Sequence, residues 1–134
     1  MAPGVVIVTH YRLGEEFLQA LRRIVPDAPP FQAVSIDPKQ SVDEMREAIA
    51  DALRRAGGEG VLILTDMFGG TPSNLAISVM DDAQIEVIAG INLPMLVKLA
   101  SVRQDCSLTQ AIDKAKDAGR KYISVASQVL AGHQ

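Results

Sequence analysis

The sequence has little cysteine, few aromatic residues and no long hydrophobic run, and each shortage excludes a class of protein. Its single cysteine, Cys106, cannot form an internal disulfide, so we expect a structural thiol in a cytoplasmic protein. No apolar run reaches the roughly 18 residues that a membrane-spanning helix needs. No basic segment leads into an apolar stretch at the start of the chain, so we expect no secretory signal.

An excess of positive charge is also missing. Lysine and arginine number 13 against 16 aspartates and glutamates, whereas a protein that binds nucleic acid needs a concentrated basic face. The glycine fingerprints of nucleotide-binding loops, G-x-G-x-x-G and G-x-x-x-x-G-K-[ST], do not occur. Histidines and carboxylates are not clustered with the spacing of metal ligands. We therefore expect no nucleic-acid partner, no cofactor and no metal.

What is present is an alternation of short β-branched runs with helical patterns, which is typical of a parallel sheet with crossover helices. The length suits one domain, residues 1–134. The pattern predicts strands over residues 4–9, 31–36, 60–65 and 84–89, and a weaker one over 121–125. Helices are predicted over residues 14–25, 41–57, 71–80, 92–101 and 108–119. The predicted fold is a doubly wound, flavodoxin-like α/β domain with a mostly parallel sheet.

Three of the predicted helices begin with a recognisable cap. Ser41 and Glu44 have the spacing of a capping box, in which side chain and backbone satisfy each other's free groups. Thr71 precedes Pro72, which is typical of a hydroxyl cap followed by proline at the first helical position. Ser107 is the predicted cap of the last helix.

Two polar residues, His10 and Asp66, each follow a predicted buried strand. Ligands of open α/β sheets bind at the carboxyl ends of the strands, so we expect both residues at one edge of the sheet. A histidine becomes a nucleophile at one ring nitrogen when a carboxylate accepts the N–H of the other. The pair therefore favours phosphoryl transfer, with His10 as nucleophile and Asp66 as its orienting group. The alternative is a purely structural role, with His10 bonded to a loop and Asp66 serving as a cap or turn residue.

A glycine-rich segment follows the second of these strands. Gly69 and Gly70 allow backbone amides to approach a ligand closely. Thr71 adds a hydroxyl at the start of a helix, where free amides and the helix dipole favour an anion. The expected amide donors are Gly70, Thr71, Ser73 and Asn74. Phosphoryl transfer depends mainly on positioning and charge stabilisation, so a nucleophile, an orienting group and this cradle suffice.

Three segments resemble the motifs of a known family. They are residues 8–10 (VTH), 64–74 (LTDMFGGTPSN) and 90–96 (GINLPML). In order and spacing they are similar to the enzyme IIA component of the mannose/fructose-type phosphotransferase system, and the resemblance extends over nearly the whole chain.

The resemblance implies an activity and a role for individual residues. His10 matches the histidine that is phosphorylated by the phosphocarrier protein HPr and that passes the group to a IIB component. Asp66 matches the carboxylate that bonds to the ring, and Thr71 matches a hydroxyl beside the phosphate. The resemblance also assigns four further residues to the phosphate pocket: Gly69, Gly70, Asn74 and Asn92.

The same resemblance implies an assembly and a location. Members of the family are cytoplasmic homodimers that meet the membrane only through a transporter complex. Their parallel sheet is completed by a last, antiparallel strand exchanged between subunits. Residues 121–125 would be that strand, and antiparallel addition needs no crossover connection.

The chain departs from the family pattern directly after His10. Tyr11 and Arg12 stand where the family usually has a small residue, typically glycine. Tyr11 could narrow access to the histidine, and Arg12 is either a further phosphate contact or an ordinary exposed residue of a first helical turn. His133, near the end of the sequence, is expected to be disordered and inert. The sequence ends at Gln134 before any IIB domain, so we expect a separate acceptor protein or none.

Four functions remain open at this point. The chain could carry phosphate from HPr to a IIB protein for sugar transport, or it could be a regulatory IIA protein that signals by its phosphorylation state. It could relay phosphate to a dihydroxyacetone kinase, which would differ from the first function only in the acceptor. It could also be a flavodoxin-like binding module without phosphotransfer, in which Tyr11 closes the pocket.

Overall fold

A computed structural model describes residues 1–80 and 84–132 of the chain. The strands are β1 (Gly4–His10), β2 (Gln32–Ile36), β3 (Val61–Thr65) and β4 (Ile85–Ala89). The helices are α1 (Leu13–Ile24), α2 (Val42–Ala56), α3 (Thr71–Ser78), α4 (Leu93–Ala100), α5 (Leu108–Lys121) and α6 (Ala126–Leu130). Within residues 1–80 and 84–132 no helix combines the length and the apolar composition that crossing a membrane requires.

All four strands are parallel, in the order β2-β1-β3-β4. This is the flavodoxin-like order, and it confirms the predicted doubly wound architecture. The chain moves outward from β1 to β2, then returns past β1 to β3 and β4, so the strand order reverses between β1 and β3. The carboxyl ends of these two central strands therefore form the crevice in which ligands of such sheets bind.

The sheet is covered by helices on both faces because side chains along each strand alternate between them. In β1, Val5 and Ile7 belong to the cluster covered by α1, α4 and α5. Val6 and Val8 belong to the opposite cluster, which α2 and α3 cover. These four side chains are at most 4 % exposed, and such full burial is typical of a parallel sheet. By the same alternation, His10 lies on the α2 and α3 side of the sheet.

The helix caps agree with the sequence at two of three positions. Ser41 and Glu44 form a complete capping box, and Ser107 forms a second one with Gln110. The prediction of Thr71 as a cap was wrong, because the helix starts one residue earlier than expected. Gly70 is the N-cap of α3, it provides no side-chain cap bond, and Thr71 is the first helical residue.

A fifth strand over residues 121–125 is not formed in the single chain. Lys121 is still the last residue of α5, and α6 begins at Ala126. A strand is defined by its hydrogen-bonded neighbour, and this segment has none within residues 1–80 and 84–132 of one copy. The prediction of a C-terminal strand exchanged in a dimer requires a second copy, and it stays a prediction.

Candidate functional site

The register of the sheet brings His10 and Asp66 to the crevice between β1 and β3. Val8 of β1 pairs with Thr65, the last residue of β3, so the next residues of both strands extend beyond the same edge. His10 ends β1 and also pairs with Ile36 of β2. Asp66 follows β3 directly. The structure thus joins two residues that lie 56 positions apart in the sequence.

Two hydrogen bonds connect Asp66 to His10. The backbone N–H of His10 donates to Oδ2 of Asp66 at 3.0 Å, and the ring nitrogen Nδ1 lies 2.8 Å from the same oxygen. The other carboxylate oxygen, Oδ1, accepts from the backbone N–H of Met67 at 3.1 Å. A carboxylate only accepts hydrogen bonds, so Nδ1 carries the ring proton when the ring is neutral. The lone pair of the neutral ring is then on Nε2.

The electrostatics of the pair keep Asp66 ionised. Partial burial by itself would raise the pKa of the Asp66 carboxyl, but the hydrogen bonds from the backbone and the ring of His10 outweigh it and leave the pKa below its ordinary value. The Asp66 side chain is 14 % exposed, whereas the His10 side chain is 42 % exposed. The site therefore combines a shielded carboxylate with an imidazole that a partner can reach.

Gly70 packs against the side of the ring opposite Nδ1. A Cβ atom added at Gly70 would lie 2.7 Å from Cε1 and 2.9 Å from Nε2 of His10, both closer than real Cβ contacts. The backbone of Gly70 is ordinary, with φ at −103°, so the absence of a side chain matters here because of the space it leaves. Only glycine lets the start of α3 approach the free nitrogen this closely.

The amides at the start of α3 are free to bind an anion. The amides of Gly70, Thr71 and Ser73 have no acceptor within residues 1–80 and 84–132, as expected for a first helical turn. The amide of Asn74, which the sequence suggested as a fourth donor, instead bonds to the carbonyl of Gly70 at 3.1 Å. Three amides therefore remain in the predicted cradle beside Nε2.

Ser73 holds this cradle in place, a role that sequence reasoning missed. Its fully buried hydroxyl accepts from the amide of Gly69 at 3.1 Å and donates to the carbonyl of Gly70 at 3.0 Å. The hydroxyl thus closes the turn that carries Gly70 onto the ring. A serine in the first turn of a helix, four residues after a glycine, was the available signal.

The remaining predicted phosphate ligands differ in their surroundings. Thr71 and Asn74 are exposed, and their side chains have no hydrogen-bond partner in the part of the chain that the structure describes. Asn92 has two partners, because its Oδ1 caps α4 by accepting from Met95 N at 3.0 Å and its Nδ2 donates to the Gly119 carbonyl at 2.9 Å. This gives Asn92 a structural role in joining α4 to α5, and its role toward phosphate stays a prediction.

The turn after His10 has an unusual backbone. Tyr11 has φ at 47°, in the left-handed region that favours glycine, and the residue is 59 % exposed. Arg12 pairs with Glu15 at 3.0 Å on the exposed first turn of α1. The buried hydroxyl of Thr9 accepts from the amide of Gly14 at 2.8 Å, so it provides the cap that Arg12 does not. Sequence reasoning missed this role of Thr9.

Cys106, for which the sequence predicts no functional role, lies apart from this site. Cys106 is buried beside α5, with its thiol directed to the carbonyl of Ser107 at 3.5 Å. His133 lies outside the described residues. Within residues 1–80 and 84–132 there is no group of three or more histidine, cysteine or carboxylate side chains that could hold a metal ion.

Comparison with known proteins relates most of the chain to one family. The family model described as PTS system fructose IIA component matches residues 4–116. The chain is 28 % identical over 127 residues to the sorbose-specific EIIA component of Lacticaseibacillus casei, covering 94 % of this chain and 92 % of that relative. It is 31 % identical over 126 residues to the mannose-specific EIIAB component of Escherichia coli K12. That match covers 92 % of this chain and 39 % of the longer relative.

Solved structures agree with this assignment. The mannose/sorbose-specific IIA subunit from Enterococcus faecalis superposes with a TM-score of 0.82 at 28 % identity, covering 93 % of this chain and 95 % of that one. The EIIA component from Streptococcus agalactiae has the same fold, with a TM-score of 0.84 at 23 % identity over 96 % of this chain and 99 % of that one. With the family match over residues 4–116, the chain belongs to the PTS system fructose IIA component family.

Proposed function

We propose that this chain is a cytoplasmic phosphocarrier of a phosphoenolpyruvate-dependent sugar phosphotransferase system. His10 receives a phosphoryl group from HPr and passes it to a IIB component. The observation that carries the proposal is the arrangement around one imidazole. Asp66 holds Nδ1 at 2.8 Å, and Nε2 faces the start of α3 at Gly70.

The chemistry follows from the protonation of the ring. Nε2 attacks the phosphorus atom with its lone pair while the P–N bond to the donor histidine breaks, and the electron pair of that bond returns to the donor ring. The proton on Nδ1 stays in place, so the phosphorylated ring carries a positive charge. The carboxylate of Asp66 stabilises this charge through the hydrogen bond that already orients the ring.

The start of α3 stabilises the phosphoryl oxygens. The free amides of Gly70, Thr71 and Ser73 donate hydrogen bonds to these negatively charged oxygens. The Thr71 hydroxyl is exposed on the same turn. The amides are fixed before the reaction because the Ser73 hydroxyl closes the turn. A preorganised cradle of this kind needs little rearrangement as charge develops. Transfer to the acceptor is the same step in reverse, with the acceptor side chain as nucleophile.

The direct test is phosphorylation by phosphoenolpyruvate, enzyme I and HPr, followed by addition of a IIB protein. We expect an acid-labile phosphate on the wild-type chain and none on His10→Ala. The second histidine of the chain provides a matched control, since His133→Ala should be labelled like the wild type. Labelling of His10→Ala would refute the assignment of the nucleophile. Phosphate that reaches His10 but no IIB protein would favour the regulatory function.

We also propose that the protein is a homodimer joined through its C-terminal segment. The outer edge of β4 has no neighbouring strand among the described residues. Large apolar side chains after α5 are exposed: Tyr122, Ile123, Val125, Val129 and Leu130. A strand formed by residues 121–125 of a second copy would pair with β4 and remove apolar side chains of this segment, such as Ile123, from water.

Light scattering after size exclusion tests the dimer. We expect a dimer for the wild type and a monomer for Ile123→Asp, because a charge at a buried apolar position opposes association. Val42→Asp places the same charge at an exposed apolar residue of α2, on the face of the sheet opposite α5, and should leave the dimer intact. A monomeric wild type would refute this proposal.

A further inference from the structure

Tyr11 occupies a backbone conformation that disfavours it. It is the one non-glycine residue with positive φ within residues 1–80 and 84–132. A left-handed conformation strains a residue that has a Cβ atom, and glycine does not have this cost. The amide of Tyr11 donates to the carbonyl of Ile36 at 2.9 Å, which holds the turn at the ends of β1 and β2. The turn itself could therefore be formed by glycine.

Burial of the tyrosine ring does not explain its presence. Tyr11 is 59 % exposed, so much of its apolar surface remains in contact with water. Its phenol group has no hydrogen-bond partner in the part of the chain that the structure describes. A residue that keeps a strained conformation without a compensating contact inside the protein indicates a role toward something outside it.

Two further apolar side chains are exposed directly after Asp66 in the sequence. Met67 and Phe68 follow Asp66 directly, and each is 61 % exposed, with Phe68 also lining a groove beside β4 together with Ile123. We name Tyr11, Met67 and Phe68 the apolar rim. The chain has only five aromatic residues, two tyrosines and three phenylalanines, and two of the five belong to this rim. Exposed tyrosine, phenylalanine and methionine are the residues enriched in the centres of protein–protein interfaces.

We propose that Tyr11 is a specificity-determining residue, whose ring binds the surface of the protein that donates the phosphoryl group. This inference rests on the proposed function of His10. The donor that fits is a protein whose phosphorylated side chain projects from a surface bordered by apolar residues. The tyrosine ring then packs on that apolar border while the phosphoryl group reaches Nε2 of His10.

A small phosphoryl donor allows the transfer step to be measured without the binding of a donor protein. Phosphoramidate transfers its phosphoryl group to Nε2 as its own P–N bond breaks and ammonia leaves, and it is too small to contact the apolar rim and the imidazole together. Rates of His10 phosphorylation are measured with phosphorylated HPr and with phosphoramidate. The variants are Tyr11→Ala and Tyr11→Phe, and Ile24→Ala removes an apolar side chain of similar exposure from α1 as a control.

We expect Tyr11→Ala to lower the ratio of kcat/KM with HPr to the phosphoramidate rate by about tenfold or more, mainly through KM, as for an interface anchor. Tyr11→Phe retains the apolar ring and should restore the ratio to within about twofold of the wild type. A ratio that stays within about threefold in Tyr11→Ala would overturn the inference. Equal slowing with both donors would overturn it too, because Tyr11 would then support the geometry of His10. Wild-type protein that is labelled by phosphoramidate but not by HPr would refute the proposed function, and this inference with it.

Discussion

A single oxygen of Asp66 accepts two hydrogen bonds from His10. Oδ2 lies 3.0 Å from the backbone nitrogen and 2.8 Å from Nδ1 of the ring. The first bond fixes the end of β1 relative to the end of β3, and the second fixes the ring relative to that backbone. The direction in which Nε2 points is therefore set by the sheet itself.

Asp66→Asn should slow phosphorylation of His10 by about 100-fold or more. The asparagine amide can present its NH₂ group to Nδ1, which favours the ring tautomer with the proton on Nε2, and it provides no negative charge for the phosphorylated ring. Single-turnover labelling from phosphorylated HPr measures the rate. Asp37→Asn is the control, because Asp37 follows β2 at the same edge of the sheet but bonds within its own turn. A rate for Asp66→Asn within about threefold of the wild type would contradict the orienting role.

The stability contributed by the Asp66 carboxylate should disappear in acid. Hydrogen bonds from His10 hold its pKa in the folded protein below the ordinary value of 3.8. The unfolded state therefore takes up the proton first, and the contribution is complete above that value and lost as pH falls through the lower, folded-state pKa. Urea unfolding at neutral pH and at about pH 3 should show a smaller difference between wild type and Asp66→Asn at the lower pH. A difference that grows in acid would contradict the sign of this shift.

Gly70→Ala should abolish phosphorylation and destabilise the protein by about 1–3 kcal/mol. The added Cβ atom would lie 2.7 Å from Cε1 and 2.9 Å from Nε2, so the ring or the start of α3 must move. Since φ at Gly70 is −103°, backbone strain does not contribute.

A double-mutant cycle isolates this clash. In the His10→Ala background the ring is absent, and Gly70→Ala should then change the free energy of unfolding by less than about 0.5 kcal/mol. The same destabilisation in both backgrounds would show that Gly70 is required for another reason.

Tyr11→Gly should be more stable than Tyr11→Ala by about 1 kcal/mol. Both variants remove the ring, but only glycine adopts φ near 47° without strain. Free energies of unfolding from urea titrations provide the comparison. Lys114, an exposed residue inside α5, is the matched control and should give the opposite order, because glycine disfavours a helix interior by about 1 kcal/mol relative to alanine. The same order at both positions would argue against a left-handed strain at Tyr11.

The sequence predicted the four parallel strands well because buried runs such as VLIL have few alternative structures. It also predicted that His10 and Asp66 would lie at one edge, since parallel strands with crossover helices place their carboxyl ends together. The 2.8 Å contact between Nδ1 of His10 and Oδ2 of Asp66 could not be predicted in this way. It depends on the pairing of Val8 with Thr65, and register is a property of the assembled sheet.

Other features could not be predicted because they depend on the exact course of a turn. Thr71 has the composition of a cap, but the turn closed by Ser73 starts the helix one residue earlier. The left-handed conformation of Tyr11 is disfavoured for its residue type, so propensity argues against it. The segment over residues 121–125 has the composition of a strand, and only a neighbour outside the single chain could make it one.

The open edge of β4 exposes chains that have not yet paired to aggregation. Within residues 1–80 and 84–132 the outer edge of β4 has no neighbouring strand, although the Val87 amide is bonded to the Glu86 carboxylate at 2.9 Å, and such an edge can pair with an extended segment of another chain. The dimerisation proposed above and aggregation would then compete for the same edge. A second copy that covers β4 with its residues 121–125, as proposed, would therefore also remove this edge as a site of aggregation.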